Sequence, residues 1–411
     1  MFKKASTDFR QLDKGILFAM VLLVGIGLMA IYSAITAYNT PDLLKHNFSK
    51  QIIWFLVGIV LLSAVVLSPT KYFYQNAYWL YALGVLLLVG VLFTEGSKGV
   101  HRWFQIGSLK LQPSELAKIG TILMLARFVS ADTRDLRNYR EIAVAFAIVL
   151  VPGFLIVKQP DLGTALVFFS LVPAVMFWAG VQPFVLFVLF SPILTFLSSF
   201  NYYSFLIVIL LICVVLYFTR RPLRTVLLVL LLNVTAGAIT PVVWNRMHDY
   251  QRTRILTFVG LEQDPQGTGY QVNQSKVAIG SGGLFGKGWQ EGSQTQLRFL
   301  PEQHTDFVFS VVGEEFGFVG VALVLGLFLL LLLRSLQIAA QTKNKFSSIV
   351  VVASVTTIAF HAVINTGMTV GIAPVTGIPL PFLSYGGSAL WTNMVIVGLI
   401  LNVGIRRFEY S

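Results

Sequence analysis

The sequence of 411 residues is 56% hydrophobic and only 12% charged, with a formal net charge of +12 at pH 7. This apolar surplus exceeds what a soluble core of this length needs, so the composition indicates a polytopic membrane protein. Lys and Arg are not clustered with aromatic residues on a separate polar region, which argues against nucleic acid as a partner. Cys213 is the only cysteine, which excludes an intramolecular disulfide.

The hydrophobic stretches predict an all-α fold, a polytopic transmembrane bundle of about 10–12 helices. A bilayer core takes roughly 20 apolar residues per helix. Twelve candidate spans lie near residues 15–35, 52–68, 77–94, 114–131, 141–158, 163–180, 183–200, 202–219, 223–245, 307–333, 347–369 and 386–405. The seventh and eighth, joined by short uncharged connections, are also compatible with a re-entrant or interfacial pair.

The distribution of basic residues predicts the orientation of the chain. Lys and Arg are more frequent in the loops that a cytoplasmic N-terminus places inside, as the positive-inside rule requires. The first apolar stretch is too long for a signal-peptide core, so we expect it to remain as a helix. The whole chain, residues 1–411, is then one membrane domain with one long extracytoplasmic loop at about 246–306.

Ionisable residues stand at several predicted helix ends, where charge in a membrane is costly and often functional. In "LQPSELAKIG", Glu115 and Lys118 lie three apart on one helix face, where an interfacial ion pair explains them equally well. In "VKQPDLGTA", Lys158 and Asp161 flank a tight turn, and an aspartate that binds its own turn backbone is the commoner situation.

Three further acidic residues mark the segment "HTDFVFSVVGEEF". Asp306 stands where a long apolar helix begins, and an ordinary helix cap with Thr305 explains it as well as a functional role does. Glu314 and Glu315 follow two turns later without a basic neighbour in the sequence, so they require a wet or paired environment. In a later span, His361 and Asn365 at i and i+4 are most simply helix–helix hydrogen-bonding groups.

The predicted location of these residues on one side of the membrane favours a shared functional role over a separate structural explanation for each. The predicted topology places six of them at or just below the outer face: Arg102, Glu115, Lys118, Lys158, Asp161 and Asp306. They predict a polar cavity open to the outside, suited to an anionic and partly lipidic substrate.

The segment "GYQVNQSKVAIGSGGLFGKGW" combines an amphipathic stretch with a glycine-rich turn. Its backbone N–H groups, with Lys276 or Lys287, could bind a pyrophosphate. The spacing does not match a nucleotide-binding P-loop, because Gly288 follows Lys287 and no strand precedes the turn. Taken alone, this signal has little specificity.

Several long motifs together resemble one family. "WFQIGSLKLQPSELAKI", "KQPDLGTAL", "LPEQHTDFVFSVVGEEFGFVG" and "GIPLPFLSYGGSALWTN" occur, with the glycine-rich segment, in the order typical of the SEDS family (shape, elongation, division and sporulation) of bacterial cell-wall polymerases. The resemblance extends from Trp103 to Asn393. The glycine-rich segment is more similar to the rod-type than to the division-type members.

The resemblance implies a peptidoglycan glycosyltransferase in the bacterial cytoplasmic membrane, which polymerises lipid II and works with a class B penicillin-binding protein. By position, Asp306 matches an essential aspartate of the family, and Trp103 matches an outer-loop tryptophan. Glu115, Lys118 and Asp161 match polar cavity positions. The family has ten membrane helices, whereas twelve spans are counted here, with the surplus between Ala179 and Val243.

The chemistry assigns roles to these residues. Polymerisation needs a base for the attacking 4-hydroxyl and positive charge for the departing pyrophosphate. We expect Asp306 to be the base. We expect Lys118 to stabilise the leaving group together with Arg102, Lys158, the loop lysines or a divalent cation (Mg or Mn). Glu315 is expected to line the cavity. No protein metal-ligand spacing is visible. The alternative is a lipid II flippase, although the one-sided charges and the lack of an internal repeat favour the enzyme.

Overall fold

The computed structural model describes residues 11–37, 46–94, 102–106, 109–131, 134, 136, 138–247, 252–254, 256–257 and 267–407. Almost all regular structure in these residues is helical. The helices are α1 Lys14–Thr36, α2 Asn47–Leu67, α3 Thr70–Val91, α4 Pro113–Ser130, α5 Tyr139–Lys158, α6 Leu162–Trp178, α7 Pro183–Ser198, α8 Tyr202–Phe218, α9 Leu223–Arg246, α10 Thr268–Ser281, α11 Ser293–Gln296, α12 Val308–Gln341, α13 Lys345–Val370 and α14 Gly387–Arg406. Phe104–Ile106 (β1) and Leu109–Leu111 (β2) form an antiparallel hairpin.

A helix occupies each of the twelve predicted spans. In the described part of the chain, eight of these helices are long and apolar enough to cross a membrane, and α6, α7 and α8 are shorter apolar helices. α4 is less apolar because Glu115, Lys118 and Arg127 lie on it. The predicted all-α membrane fold is therefore confirmed.

The chain divides into two compact units. Gly180–Glu262 is the smaller unit, and the residues before and after it form the larger one. Inside the smaller unit, α7, α8 and α9 pack around a core that contains Ile212 and Val229. Asn233 donates a hydrogen bond to Ser191 and accepts one from Thr195, which joins α9 to α7. The surplus hydrophobic sequence thus forms three ordinary helices, while the prediction of a single membrane domain remains a prediction.

The larger unit is built around α13 and α14, the two most buried of its membrane-length helices. α13 packs against α4, α6 and α12, and α14 packs against α2. Asn402 of α14 donates to carbonyl groups at the end of α2, including Ser68 O at 2.6 Å. These contacts satisfy backbone groups that the end of a helix leaves open.

Helix α12 is broken at Gly317, where the backbone (φ 63°, ψ −159°) leaves the helical conformation. The glycine-rich loop that follows α10, residues 282–288, lies in the break. Four hydrogen bonds join the two segments: Lys287 N to Glu314 O (3.0 Å), Gly288 N to Glu315 O (3.1 Å), Phe318 N to Gly283 O (2.9 Å) and Val319 N to Leu284 O (3.1 Å). The loop therefore satisfies backbone groups of a membrane helix that would otherwise lie unpaired in lipid.

This arrangement predicts a steric requirement at Gly286. Its φ is 83°, and an added Cβ would lie only 2.0 Å from Glu315 O. We expect Gly286→Ala to destabilise the fold by at least about 1–2 kcal/mol, because alanine tolerates neither the dihedral angle nor the contact. Gly326→Ala is the matched control, since no atom lies within 4 Å of its added Cβ. Thermal unfolding in detergent should separate the two variants, and equal melting temperatures would contradict the packing described.

Candidate active site

The polar motifs of the larger unit meet at one end of the helix bundle. The ends that meet are the first turns of α4, α6, α12 and α14 and the last turns of α5 and α13. Two loops join them: the 297–307 loop, "LRFLPEQHTDF", and the 371–386 loop, "GIAPVTGIPLPFLSYG". An added Cβ at Gly163 would lie 2.7 Å from Thr376 O, so the start of α6 packs directly against the 371–386 loop.

The N-cap residue of α12 is Phe307, not Asp306 or Thr305, and the Phe307 side chain forms no cap hydrogen bond. Thr305, the predicted cap, instead donates its hydroxyl to the backbone and the carboxylate of Glu302. The prediction that Thr305 caps this helix was therefore wrong.

The Asp306 side chain points to the 371–386 loop and is half-buried. Its Oδ2 atom lies 3.4 Å from the position of an added Cβ at Gly377, a residue with φ of 71°. Asn365 of α13 donates through Nδ2 to Asp306 O at 2.9 Å and to Ile378 O at 2.8 Å. The backbone on both sides of the carboxylate is thus fixed by a single buried amide.

Further hydrogen bonds tie the two loops together. Ser384 Oγ donates to Thr305 O at 2.6 Å, and Tyr385 N donates to His304 O at 3.0 Å. The rings of His304 and Tyr385 lie 5.6 Å apart. Burial lowers the pKa of His304, so this ring is neutral at pH 7. Asp306 therefore lies in a loop that is hydrogen-bonded to the 371–386 loop at His304 and Thr305.

Glu115 and Lys118 form the predicted ion pair, but it is buried rather than interfacial. Lys118 Nζ lies 3.0 Å from Glu115 Oε1 and 3.2 Å from His361 Nε2. The exposed fractions of Lys118 and Glu115 are 2% and 5%. Glu115 Oε2 is buried and has no hydrogen-bond partner among the described residues. A buried cation with a carboxylate that retains a free acceptor is an expensive arrangement for stability alone.

Asp161 is the N-cap of α6. Its carboxylate accepts hydrogen bonds from the backbone and the hydroxyl of Thr164, and from Gln112 Nε2 at 3.3 Å. The prediction that Asp161 binds the backbone of its own turn is confirmed. Gln112 links this turn to the start of α4. Arg102 donates to the carbonyl groups of Gln159 and Pro160, so it holds the same turn.

Two predicted site residues beside this turn are open to the surroundings. Trp103 is 44% exposed. Lys158 is exposed, and its ammonium lies 4.9 Å from the centre of the Phe154 ring on its own helix. Lys158 is therefore not part of the buried cluster around Lys118.

Glu314, Glu315 and Lys287 form a second cluster near the break in α12. Glu314 is fully buried and accepts from Lys287 Nζ at 2.8 Å and from the N–H groups of Gln294 and Thr295. Glu315 accepts a hydrogen bond from Ser33 of α1. Lys287 is the basic partner that the local sequence lacks, because it comes from the loop inserted at the break.

The glycine-rich loop does not present its N–H groups to a ligand at residues 286–288. Each of these three groups donates to a backbone carbonyl, and Lys287 is paired with Glu314. The hypothesis that these N–H groups bind a pyrophosphate is not supported by this geometry. Lys276 is exposed and lies over Gly371 at the C-terminus of α13, where a positive charge is favourable.

Comparisons with known proteins agree with this architecture. A family model described as "Cell cycle protein", for FtsW, RodA and SpoVE, matches residues 14–206 and 183–407. Peptidoglycan glycosyltransferase MrdB of Escherichia coli (strain K12) is 35% identical over 407 residues, which cover 98% of this chain and 96% of that protein. Peptidoglycan glycosyltransferase RodA of Treponema pallidum (strain Nichols) is 33% identical over 432 residues, with 98% of both chains covered.

The chain belongs to the FtsW/RodA/SpoVE family.

Solved structures of this family share the fold. RodA of Thermus thermophilus has a TM-score of 0.63 and 28% identity, with 97% of this chain and 98% of that chain covered. A chain from a peptidoglycan synthase complex, described as coordinating polymerization and crosslinking, has a TM-score of 0.72 and 30% identity. The match covers 97% of this chain and 99% of that chain. The resemblance to the SEDS family is thereby confirmed, and the chain is a multi-pass membrane protein.

The sequence alone did not identify several residues that shape the site. Gly377 and Gly163 bring the backbone close to Asp306 and to α6, and Ser33 binds Glu315 across helices. Gln112 joins two motifs through Asp161. A glycine followed by Ile-Pro was a visible turn signal at Gly377, whereas pairings between distant helices have no local signal.

Proposed function

We propose that the chain is a peptidoglycan glycosyltransferase that joins lipid II units into glycan strands at the outer face of the bacterial cytoplasmic membrane. The observation that carries this proposal is the geometry of Asp306. Asp306 precedes the N-cap residue Phe307, and its backbone is held by Asn365 at the same end of the bundle as the buried Lys118. The curated relatives bear the same activity in their names.

The reaction is a single in-line displacement. Asp306 accepts the proton of the acceptor sugar's 4-hydroxyl. At the same time, the hydroxyl oxygen forms a bond to the anomeric carbon of the donor sugar. The bond to the undecaprenyl pyrophosphate breaks in the same step, and its electron pair leaves with the pyrophosphate. Lys118 opposes the charge that develops there. One displacement inverts the α-linked donor to a β-linked strand, so no covalent enzyme intermediate is needed.

A divalent cation, Mg or Mn, fits this scheme best as a group bound mainly through the substrate. Within the described residues, no three His, Cys, Asp or Glu side chains are grouped as a metal site. Mg²⁺ commonly binds through one or two carboxylates together with substrate phosphates. Glu115 Oε2, which has no hydrogen-bond partner among the described residues, and the Asp306 carboxylate would be the ligands from the chain, and the cation would add positive charge at the leaving pyrophosphate.

A lipid II flippase is the second candidate, because the break in α12 resembles the discontinuous helices of transporters. A transporter of that kind carries broken helices in related halves. Among the helices that the structure describes, α12 alone contains a residue with non-helical dihedral angles. The glycine-rich loop also closes this break with backbone hydrogen bonds. Both features favour the enzyme.

One experiment distinguishes the two functions. Purified protein in proteoliposomes is given labelled lipid II, and glycan strands and lipid translocation are measured separately. The proposal expects glycan strands, which should appear even when lipid II is supplied on one face only. Translocation without strands would assign the flippase function instead.

The proposed orientation places the N-terminus in the cytoplasm and Glu302 outside. The basis is the excess of Lys and Arg in the loops assigned to the inside. In a Cys213→Ser background, an impermeant thiol reagent should label Glu302→Cys and spare Arg221→Cys in intact spheroplasts; both positions are exposed. The reverse labelling pattern would overturn the orientation.

We also propose that the chain works with a class B penicillin-binding protein. The support is the structural similarity to a synthase complex that couples polymerization to crosslinking. We expect the cognate partner to raise polymerisation several-fold at matched enzyme concentrations. The control is the partner with its transpeptidase nucleophile replaced, which should stimulate equally. Equal rates with and without the partner would contradict the coupling.

A further inference from the structure

The protonation state of His361 follows from its two neighbours. His361 Nδ1 lies 3.2 Å from Pro379 O, and Nε2 lies 3.2 Å from Lys118 Nζ. A carbonyl oxygen only accepts, so Nδ1 carries the proton. An ammonium only donates, so Nε2 accepts through its lone pair. His361 is therefore a neutral imidazole with one defined tautomer, buried between α4 and the 371–386 loop.

This imidazole connects the cation to the support of Asp306. Pro379 follows Ile378, whose carbonyl accepts from Asn365, and the same amide donates to Asp306 O. His361 and Asn365 lie one turn apart on α13, and both are buried. One face of α13 thus sets the distance between the Lys118 ammonium and the Asp306 backbone.

We propose that His361 is a positioning residue for polymerisation: it accepts a hydrogen bond from Lys118 and fixes that ammonium relative to Asp306. The inference rests on the proposed glycosyltransferase function. This role differs from the usual role of a membrane histidine, which donates a hydrogen bond to another helix. Here the contact that matters for activity is the one in which Nε2 accepts from Lys118. A helix-packing role requires only the bond to Pro379 O.

Two substitutions separate these roles. In His361→Gln, the amide reaches the position of Nε2 and offers an acceptor to Lys118, but the donor to Pro379 O is lost. In His361→Asn, the amide reaches the position of Nδ1 and retains the donor to Pro379 O, but the acceptor for Lys118 is lost. The two variants are similar in polarity and differ in the contact that each one preserves.

The experiment measures lipid II polymerisation and thermal stability for both variants at equal membrane levels. We expect His361→Asn to lose about 10–100-fold in turnover at a near-normal melting temperature, because a misplaced catalytic group loses rate steeply. We expect His361→Gln to retain activity within a few-fold of the wild type, with the greater loss of stability.

Three results would overturn the proposal: His361→Asn with near-normal turnover, His361→Gln folded but as inactive as His361→Asn, or both variants unable to fold, which would make the residue structural. The wild-type control separates this failure from failure of the proposed function. If the wild type forms no glycan strands, the function itself is wrong. If the wild type and His361→Asn polymerise equally, only the positioning role is lost.

Discussion

Asp306→Asn should lower the polymerisation rate by about 10²–10⁴-fold while the protein keeps its melting temperature. Asparagine preserves the shape of the side chain but cannot accept a proton, and general-base catalysis contributes about this factor. The structure argues against the competing explanation, since the N-cap residue of α12 is Phe307 and Asp306 lies one residue before it. The backbone contact from Asn365 to Asp306 O does not depend on the side chain.

The matched control is Asp161→Asn. Asp161 is a true N-cap, and asparagine caps a helix about as well as aspartate, so this variant should remain stable and within about tenfold of wild-type activity. Both residues lie at or just before the start of a helix at the same end of the bundle. If Asp306→Asn and Asp161→Asn lose polymerisation equally, Asp306 is not the base and contributes only a general electrostatic effect.

Lys118→Met should reduce turnover by about 10²–10³-fold, the usual effect of removing one preorganised group that stabilises developing negative charge. Lys158→Met is the control, because Lys158 lies at the same end but is exposed beside Phe154. It should change activity only a few-fold. The measurement is the initial rate of glycan formation with saturating lipid II.

Stability must be separated from chemistry at Lys118. Lys118→Met leaves Glu115 buried without its cation, which costs up to about 3–5 kcal/mol. The double variant Glu115→Gln/Lys118→Met removes both charges and should recover much of that stability. Activity should remain low in the double variant. If activity returns together with stability, Lys118 serves the fold and has no role at the leaving group.

The helices were accessible from the sequence because apolar length has a direct physical meaning in a membrane. The placement of Asp306, Glu115 and Asp161 at one common end of the bundle was also accessible, since the number of spans between them determines which ends meet. The break at Gly317 was not, because the broken backbone is satisfied by a loop that lies some thirty residues earlier in the sequence.

The pairings inside the site were equally hidden. Local sequence suggested that Glu314 lacks a cation and that Lys287 could serve a ligand, whereas the fold pairs the two. Asp306 looked like a cap because one-dimensional spacing cannot show that the helix starts two residues later. Such errors share one cause: the partner of a buried charge is chosen by tertiary packing and leaves no periodic signal.

The most direct test of the glycosyltransferase assignment is to measure strand formation and release of undecaprenyl pyrophosphate together, in purified wild type and in Asp306→Asn. The displacement requires one released pyrophosphate lipid for each glycosidic bond formed. We expect the wild type to show this stoichiometry with β-linked product, and the variant to lose both signals in parallel. Pyrophosphate release without strands, or strands made at the normal rate by Asp306→Asn, would contradict the account.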